Sequence, residues 1–578
     1  MKNIFSFPIA ILLCVVFFVL AIFGVYNDTL TSDEVSHIPD GYYYLNTGRY
    51  FINPEHPPII KDVAAVPLMF MGLEIPDYPL DREYHNPQWD YGRDFLFNVG
   101  NDPDQIVFWS RLAIILFNTI LLFLLFVFLK RLFNATGSLI AIFFLALSPT
   151  FLAHGSLVTT DTILAYFLML ALVTFALFLK HFLVKKIYWL YFALSVLFTA
   201  GALLTKFSAF MLVIIMFLGG LLYLVLAKKI KKCWLKYILL FALLCVMQIA
   251  IIGAYYAPHV VNMDDTGLTH QIDSNYPDSF PQIGKSYMEW SIDNGPFFTG
   301  ITEYVVGVLM VRGRVASAWQ TIYFLGDVYG SEGAGVGYFP VLFFTKITLG
   351  FFFLFLLSII LGIKNITQQI KERFKNIEIR PFEILLWSLV VVYLLVSFTS
   401  RLQIGLRHIL PVMTAIYLLV GGSLGRWFDK KNYKYVIALL MIIMLGGSLM
   451  AFPHYLPFYN SFAGGTSNGY KIATDSNYDW MNQDIKRLAS YLEQNDIEYF
   501  YGDLDVNFPH EYYLGDKLIP FNIKEKELPT SGEYLIVSVE AMQRNDFQGN
   551  PTEEQKYSNL MEYEIARVGM TIFVFQMP

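Results

Sequence analysis

The stretch FSAFMLVIIMFLGGLLYLVLAKKIKKCWLKYILLFALLCVMQIAIIGAYYA, Phe207 to Ala257, contains two apolar runs, 207–227 and 237–257, parted by Lys228, Lys229, Lys231 and Lys232. Each run is about twenty residues long, the length an α-helix needs to cross a hydrocarbon layer about 30 Å thick. Two membrane spans joined by a basic loop account for the pattern, and the lysines place that loop on the cytoplasmic side.

Working outward, further apolar runs lie near 4–26, 108–129, 137–153, 158–179, 188–204, 339–362, 382–399, 407–424 and 435–452, which makes eleven spans in all. The composition agrees: 56% hydrophobic and only 15% charged residues, with mean hydropathy +0.49, exclude a soluble enzyme, a disordered tail or a fibrous repeat. The net charge of −6 hides a partition between two sides, and no basic patch suits nucleic acid. Lys130 and Arg131, Lys180 with Lys185 and Lys186, the 228–232 lysines, Lys364 to Arg380, and Arg426 to Lys434 fall in alternate loops, which are therefore cytoplasmic. The N-terminal run has no small-residue cleavage site, so it stays as the first span with the N-terminus inside. Segments 27–105, 154–161, 258–338, 400–406 and everything after 453 are then extracytoplasmic. Cys14 and Cys245 fall in spans and Cys233 in a basic cytoplasmic loop, which leaves no disulfide for the outer loops.

The fold expected is an α-helical polytopic membrane protein, residues 1–452, followed at 453–578 by a small extracytoplasmic α/β domain. In that second part helical patterning at 479–495 precedes the strand-like YFYG, YLIVSV and TIFVFQ. Its modest core implies that it rests on the membrane part.

Charged residues at the ends of spans are functional candidates, because an unsatisfied charge near lipid is costly. TSDEVSH supplies Asp33, Glu34 and His37, and NPEHPPIIKD supplies Glu55, His56, Lys61 and Asp62. Between them GYYYLNTGRY has aromatic residues at helical spacing and suits a helix lying in the membrane interface, while Pro57 and Pro58 suit the start of another. Thr31 and Glu34 also fit a capping box, an alternative part for Glu34. A basic set lies on the outer side: Lys206, Arg312, Arg314, Lys346, Arg401, Arg407 and His408. Lys346 reads equally as a snorkelling residue; several cations converging on one cavity suit a phosphate group. HGSLVTTD ends in Asp161, which with Thr160 also fits a helix cap. The sequons at Asn27, Asn134 and Asn365 are weak, the last two facing the cytoplasm. The His and carboxylate spacing is not a metal-ligand pattern, so no metal is assigned, and assistance by a divalent ion stays open.

Outer carboxylates beside outer cations over a large apolar body match a lipid-phosphate-linked donor. A phosphate leaving group is a weak base and needs cationic stabilisation, whereas an acceptor hydroxyl needs a carboxylate to take its proton. No P-loop or dinucleotide fingerprint is present, so no nucleotide site is implied.

The residues Asp33 and Glu34, EHPPIIK (Glu55–Lys61), ALSPTFLAHGSLVTTD (Ala146–Asp161), YFLGDVYGSEGAGVGYFP (Tyr323–Pro340), LRHILP (Leu406–Pro411) and YNSFAGGTSNGYKIATDSNYDWMNQD (Tyr459–Asp484) occur in this order along the chain. In that order and placement the sequence resembles the bacterial glycosyltransferases of the C-type membrane fold (GT-C), which include protein O-mannosyltransferases and the aminoarabinose transferase of lipid A. The resemblance implies transfer of a sugar from a polyprenyl-phosphate donor to a lipid, protein or envelope-glycan acceptor, with inversion, at the outer face of a bacterial cytoplasmic membrane. The family's DE motif maps to Asp33 as general base, and Glu55 takes the place of a second acidic residue. Where some relatives carry Glu-Lys there, this chain has Glu55 then His56, a departure from the pattern. Arg407 and Lys206, with Arg401, Arg312 and Arg314, are the donor-phosphate candidates by placement. His56, His408, Asp161, Asn477 and Asp479 are the candidates for positioning substrate. The motif SNYDW, Ser476–Trp480, either contacts the sugar or acceptor or caps the helix that follows. No loop is long enough for the β-trefoil insertion of eukaryotic protein mannosyltransferases.

A lipid-linked sugar flippase would use the same cations, but transporters place ionisable groups near the midplane and often carry inverted repeats. Here the acidic candidates lie in outer loops and no repeat is visible. A catalytically silent scaffold leaves the paired acidic and basic clusters without a purpose.

Overall fold

A computed structural model describes residues 5–77, 87–184, 188–317, 321–371, 380–481, 483–549 and 551–578. Lys185, Lys186 and loop positions 372–379, used above for orientation, lie outside the described residues. The chain opens with α1 (Ser6–Val25), then α2 (Ser32–Thr47), α3 (Ile59–Ala65) and α4 (Gln88–Arg93). There follow α5 (Pro103–Leu129), α6 (Ala135–Ala146), α7 (Pro149–Ser156), α8 (Asp161–Val184), α9 (Tyr188–Leu203), α10 (Phe210–Leu226) and α11 (Ile230–Val260). After α12 (Asp265–Asn275), α13 (Gln282–Ile292) and α14 (Pro296–Ser317) come α15 (Tyr338–Lys346), α16 (Leu349–Lys371), α17 (Pro381–Thr399), α18 (Leu410–Trp427) and α19 (Lys431–Ala451).

Every one of the eleven apolar runs is helical, but they are not equal. Among the described residues nine helices are long and apolar enough to cross a membrane on their own. The run near 137–153 is the pair α6 and α7, bent by 63°. The break falls where Pro149 follows Ser148, whose backbone is extended (φ −78°, ψ 124°) because a residue before proline is pushed out of the helical region. The run near 188–204 is the sixteen-residue α9, shorter than a span needs. The run near 339–362 is cut at Ile347, so that α15 stands apart and the membrane-length helix begins at Leu349.

Helix α8 is buried along its length and forms the centre, whereas α16 and α19 expose most of their apolar surface, as lipid-facing helices do. Close approach of helices in lipid relies on small residues, and α18 shows it. A Cβ on Gly425 would stand 2.2 Å from the Gly137 Cα, and one on Gly421 would stand 2.7 Å from the Ala141 Cβ. The two glycines, four residues apart, form the ridge on which α6 sits.

The segment after α1 departs from the interfacial helix expected of GYYYLNTGRY. In α2, Tyr42, Tyr43 and Tyr44 are 5%, 3% and 1% exposed, packed inside protein rather than against lipid headgroups. The reason is that α3 and α4 cover α2, with Gly41 against the Lys61 carbonyl and Gly92 against that of Val35. Pro57 and Pro58 do precede a helix, α3.

Beyond the membrane part, α20 (Ile485–Gln494) leads into a five-stranded mixed sheet. A separate hairpin, β1 (Ile322–Phe324) with β2 (Asp327–Tyr329), comes earlier in the chain. The sheet comprises β3 (Phe500–Asp503), β4 (Leu518–Pro520), β5 (Tyr534–Ser538), β6 (Glu564–Val568) and β7 (Ile572–Gln576), in the order β4-β3-β5-β7-β6. YFYG, YLIVSV and TIFVFQ supply β3, β5 and β7; the short β4 and the more exposed β6 carry weaker patterns. The sheet unit is tied to the rest by Tyr513 donating to Asp104 at 2.8 Å, Lys486 to Asp104 at 2.9 Å and Arg487 to Asp28 at 2.5 Å.

Replacing Gly425 by valine forces α18 off α6, where the nearest atoms belong to the Gly137 backbone, at a cost of roughly 1–3 kcal/mol. Thermal unfolding of the purified variant in detergent is expected at a clearly lower temperature than for the wild type.

Candidate active site

The site is assembled where four chain segments meet. Asp33 lies in the first turn of α2, Asp161 is the first residue of α8, and Lys206 sits in the extended link before α10. Arg407 belongs to the 3-10 turn Leu406–Ile409 ahead of α18. Their charges alternate in space. Arg407 Nη1 donates to Asp33 Oδ2 at 2.5 Å and stands 3.8 Å from Asp161 Oδ2, while Lys206 Nζ donates to Asp161 Oδ1 at 2.6 Å. Asp33 is the more open of the two carboxylates, at 23% against 2% for Asp161.

The cluster holds an unusual set of unsatisfied groups. Arg407 Nε, Asp161 Oδ2, His408 Nε2 and His154 Nδ1 are all enclosed and make no hydrogen bond within the protein. Buried polar atoms are nearly always paired, so Arg407 Nε and the three other atoms leave bonding capacity that a polar ligand could use. Burial alone would raise the Asp33 carboxyl, but the Arg407 charge, with His37 adding to it, outweighs that and holds it below the usual range. Burial pulls His37 below the ordinary histidine value, and its Nδ1 stands 2.9 Å from the Val158 carbonyl.

A second patch lies beside the first. Glu55 pairs with Arg314, and the His56 ring is 5.2 Å from that of His37. Burial lowers His56 well below the ordinary histidine value, with the charges of Lys61, Lys206 and Arg314 acting in the same direction. Lys61, next along the chain, is buried against Asp40 at 3.6 Å and donates to the Asn53 carbonyl at 2.7 Å. Burial brings Lys61 down to about 8 and Asp40 up to about 6.

Not every sequence candidate joins these patches. Glu34 is fully buried and saturated: Arg111 donates to it at 2.6 and 2.9 Å, the Val158 amide at 3.0 Å and Thr31 through the capping box. Those bonds give Glu34 a structural part and leave no lone pair facing a reactant. Arg312 is exposed with its guanidinium 4.8 Å from the Phe280 ring, and Arg401 is exposed on the link before Arg407, its backbone beside Gly333. Neither makes an ion pair with the Asp33 cluster among the described residues. Lys346 does not snorkel: it is 2% exposed and donates to the carbonyls of Leu456 and Asn477 at 2.7 and 2.5 Å.

The SNYDW motif acts in a way the sequence did not suggest. It neither starts nor caps α20, which begins at Ile485. Instead Ser476 Oγ donates to the Ile404 carbonyl at 2.8 Å and Asn477 Oδ1 accepts from the Leu406 amide at 2.7 Å. Gly405 between them adopts φ +152°, and a Cβ there would lie 2.0 Å from Ser476 Oγ. Trp480 then lies under the guanidinium of Arg407, 4.2 Å from ring centre to carbon. The motif is thus a clasp on the backbone that presents Arg407. Asp479, fully buried, faces Glu540 of the sheet unit. Asp475, which burial raises to about 6, faces Arg407. Among the described residues no group of three or more His, Cys, Asp or Glu side chains is set to hold a metal ion.

Sequence reasoning left out Arg111 and named Trp480 only as the last residue of SNYDW. Arg111 could have been found, since it is the one arginine within the apolar run 108–129. Trp480 gave no signal of its own.

Residues 96–252 match the family described as dolichyl-phosphate-mannose-protein mannosyltransferase. The matched stretch contains Asp161, Lys206 and Arg111. Over that stretch the chain is similar to the mannosyltransferases of that family. A search of curated proteins finds no match. Among solved structures, ArnT from Cupriavidus metallidurans bound to undecaprenyl phosphate is 15% identical, with TM-score 0.45, over 98% of this chain and 97% of that one. The oligosaccharyltransferase AglB from Archaeoglobus fulgidus, in complex with an inhibitory peptide and a dolichol-phosphate, is 12% identical, with TM-score 0.45, over 93% and 70%.

Truncating Glu34 to alanine leaves Arg111 charged, buried and unpaired, a loss of about 3–5 kcal/mol. The Glu34→Ala protein is expected to fall in yield and unfold at a markedly lower temperature, measured by thermal unfolding in detergent, while Asp33→Asn stays close to wild type.

Proposed function

We propose that this protein is an inverting glycosyltransferase that moves a sugar from a polyprenyl-phosphate donor to a lipid, protein or glycan acceptor outside a bacterial cytoplasmic membrane. In this reading the N-terminus faces the cytoplasm and the sheet unit at 453–578 faces outward. The observation that carries it is the Asp33–Arg407–Asp161–Lys206 chain with its unsatisfied Arg407 Nε and His408 Nε2. Two cations offer phosphate recognition, and one partly open carboxylate offers a base. The match at 96–252 to a family named for dolichyl-phosphate-mannose supports a lipid-phosphate donor.

The reaction is a single displacement. The acceptor hydroxyl oxygen attacks the anomeric carbon as the bond from that carbon to the phosphate oxygen breaks. The hydroxyl proton passes to the Asp33 carboxylate, and polyprenyl phosphate leaves with the bonding electrons, its new charge stabilised by Arg407 and Lys206. Asp161 holds both cations toward the phosphate.

A carboxylate held below its usual pKa is a poor base, so the Asp33–Arg407 pair has a consequence. When a donor phosphate takes up the Arg407 guanidinium, Asp33 loses its strongest stabilising charge and becomes more basic. Donor binding thereby arms the base. Glu55, Arg314 and His56, next to the pair, orient the acceptor or the donor sugar.

Transfer of radiolabelled sugar from a panel of polyprenyl-phosphate sugars, by protein in nanodiscs with an envelope extract as acceptor, tests the reading. Release of polyprenyl phosphate with label on an acceptor is expected; donor crossing the bilayer without transfer would point to a flippase. Asp33→Asn should lower kcat by about 10²–10⁴-fold, the contribution typical of a general base, with donor binding retained. Arg407→Ala should weaken donor binding by roughly 10²-fold, as loss of a buried phosphate contact does. Because Asp33 stays ionised below the ordinary aspartate value in the free enzyme, kcat/KM should hold as pH falls from 7 to 5. The acid limb of kcat should lie at higher pH than that of kcat/KM; coincident limbs would rule out arming by the donor.

A further inference from the structure

We propose that α13 and the start of α14 form a surface seated in the headgroup region of one bilayer leaflet, with the lipid itself as partner. The inference rests on the membrane reading of the spans, shared with the proposed function, and not on the transfer reaction.

The height of this surface follows from α11. Lys231, Lys232 and Lys236 mark one membrane boundary on that helix, and about twenty residues of helix cross the hydrocarbon, so the far boundary falls near Tyr256. Helix α14 packs against that end: a Cβ on Gly253 would stand 2.9 Å from the Phe297 ring, and one on Gly300 would stand 2.7 Å from the Tyr256 Cβ. Residues 297–300 therefore sit at the level of the boundary.

At that level an aromatic cluster is open to the outside. Tyr287, Trp290, Phe297 and Phe298 are 39%, 46%, 37% and 36% exposed, and Ile283 is 81% exposed. The rings touch in series, Tyr287 to Trp290 at 5.8 Å, Trp290 to Phe298 at 5.1 Å and Phe298 to Phe297 at 5.3 Å. On α13 the exposed apolar positions 283, 287 and 290 form one stripe at helical spacing. The opposite side faces protein, with Met288 buried and Ser291 Oγ 2.7 Å from Thr302 Oγ1. Aromatic residues gather where hydrocarbon meets headgroups, because their rings are apolar and their edges polar. The stripe also continues the side of α11 that carries Gly253, where Val246 and Ile249 are 61% and 54% exposed. That continuity favours lipid over a protein partner.

The surface bears on the site because α14 runs from it to Arg314. Gly307, midway, lies against the Pro54 carbonyl and the Phe207 ring, and Arg314 pairs with Glu55. Seating the start of α14 in the leaflet fixes the height of the Glu55 patch above the lipid.

The test is spin labelling of full-length protein with Cys14, Cys233 and Cys245 replaced, in nanodiscs of phosphatidylcholine and phosphatidylglycerol. Labels at Ile283→Cys and Trp290→Cys are expected to collide more with oxygen than with a water-soluble nickel complex, and a label at the exposed Glu289→Cys the reverse. A water-like ratio at 283 and 290, or protection from both reagents as under a protein cover, would overturn the proposal. Should the cysteine-free chain not fold, Trp290→Phe in the otherwise unaltered chain serves. Brominated phosphatidylcholine should then quench a smaller fraction of its tryptophan emission than in wild type, and equal fractions would overturn the proposal. Absence of sugar transfer leaves both readouts unchanged, so the two readings fail separately.

Discussion

A buried guanidinium in a membrane helix has to be neutralised, and the partner chosen for Arg111 organises the part of this protein that holds the candidate site. Glu34 takes the charge, and the remaining donors of Arg111 go to the carbonyls of Val25, Asp28 and Thr29. Glu34 in turn accepts from the Val158 amide, so one ion pair ties the end of α1, the start of α2, the middle of α5 and the turn before α8. Asp33 is the neighbour of Glu34, and Asp161 lies three residues beyond Val158. The pair most costly to break thus sets the two carboxylates of the candidate site on a common frame, and the adjacent acidic residues divide the work. Glu34 builds; Asp33, more open and facing Arg407, is the one proposed as the base.

The other half of the site comes from a distant part of the chain. Arg407 is presented by a backbone link that Ser476 and Asn477 hold by hydrogen bonds, and its guanidinium rests on Trp480. Lys346 fixes the same clasp from below through the Asn477 carbonyl. The membrane part and the segment leading to the sheet unit therefore form one site. The sheet unit that follows is tied down by Tyr513, Lys486 and Arg487.

Much of the fold was legible because lipid imposes a single rule on every span: about twenty apolar residues with internally satisfied backbone. All eleven runs became helices on that rule. Where hydropathy failed, the cause was local stereochemistry or company. Pro149 bends one run, an extended Ile347 cuts another, and the tyrosines of α2 went into protein because Gly41 and Gly92 let α3 and α4 close over them. An amphipathic pattern does not say whether its apolar face meets lipid or another helix. The stripe on α13, in a loop that the sequence marks only as extracytoplasmic, carries the same ambiguity, and there lipid is the proposed partner.

For the candidate site, the sequence by itself determined which residue types were available and that they stood near the ends of apolar runs: acidic Asp33, Glu55 and Asp161, basic Lys206 and Arg407, and the capping pair Thr31 and Glu34. Those follow from charge cost near lipid and from local helix chemistry, both short-range. Only the tertiary structure decided the pairings, since Asp33 and Arg407 are 374 residues apart and no local pattern links them. It separated Arg312 and Arg401 from the phosphate candidates, made SNYDW a clasp where the sequence offered a substrate contact or a helix cap, and gave Trp480 its place. Ion pairing at 2–4 Å depends on how helices pack, and packing is a property of the whole chain.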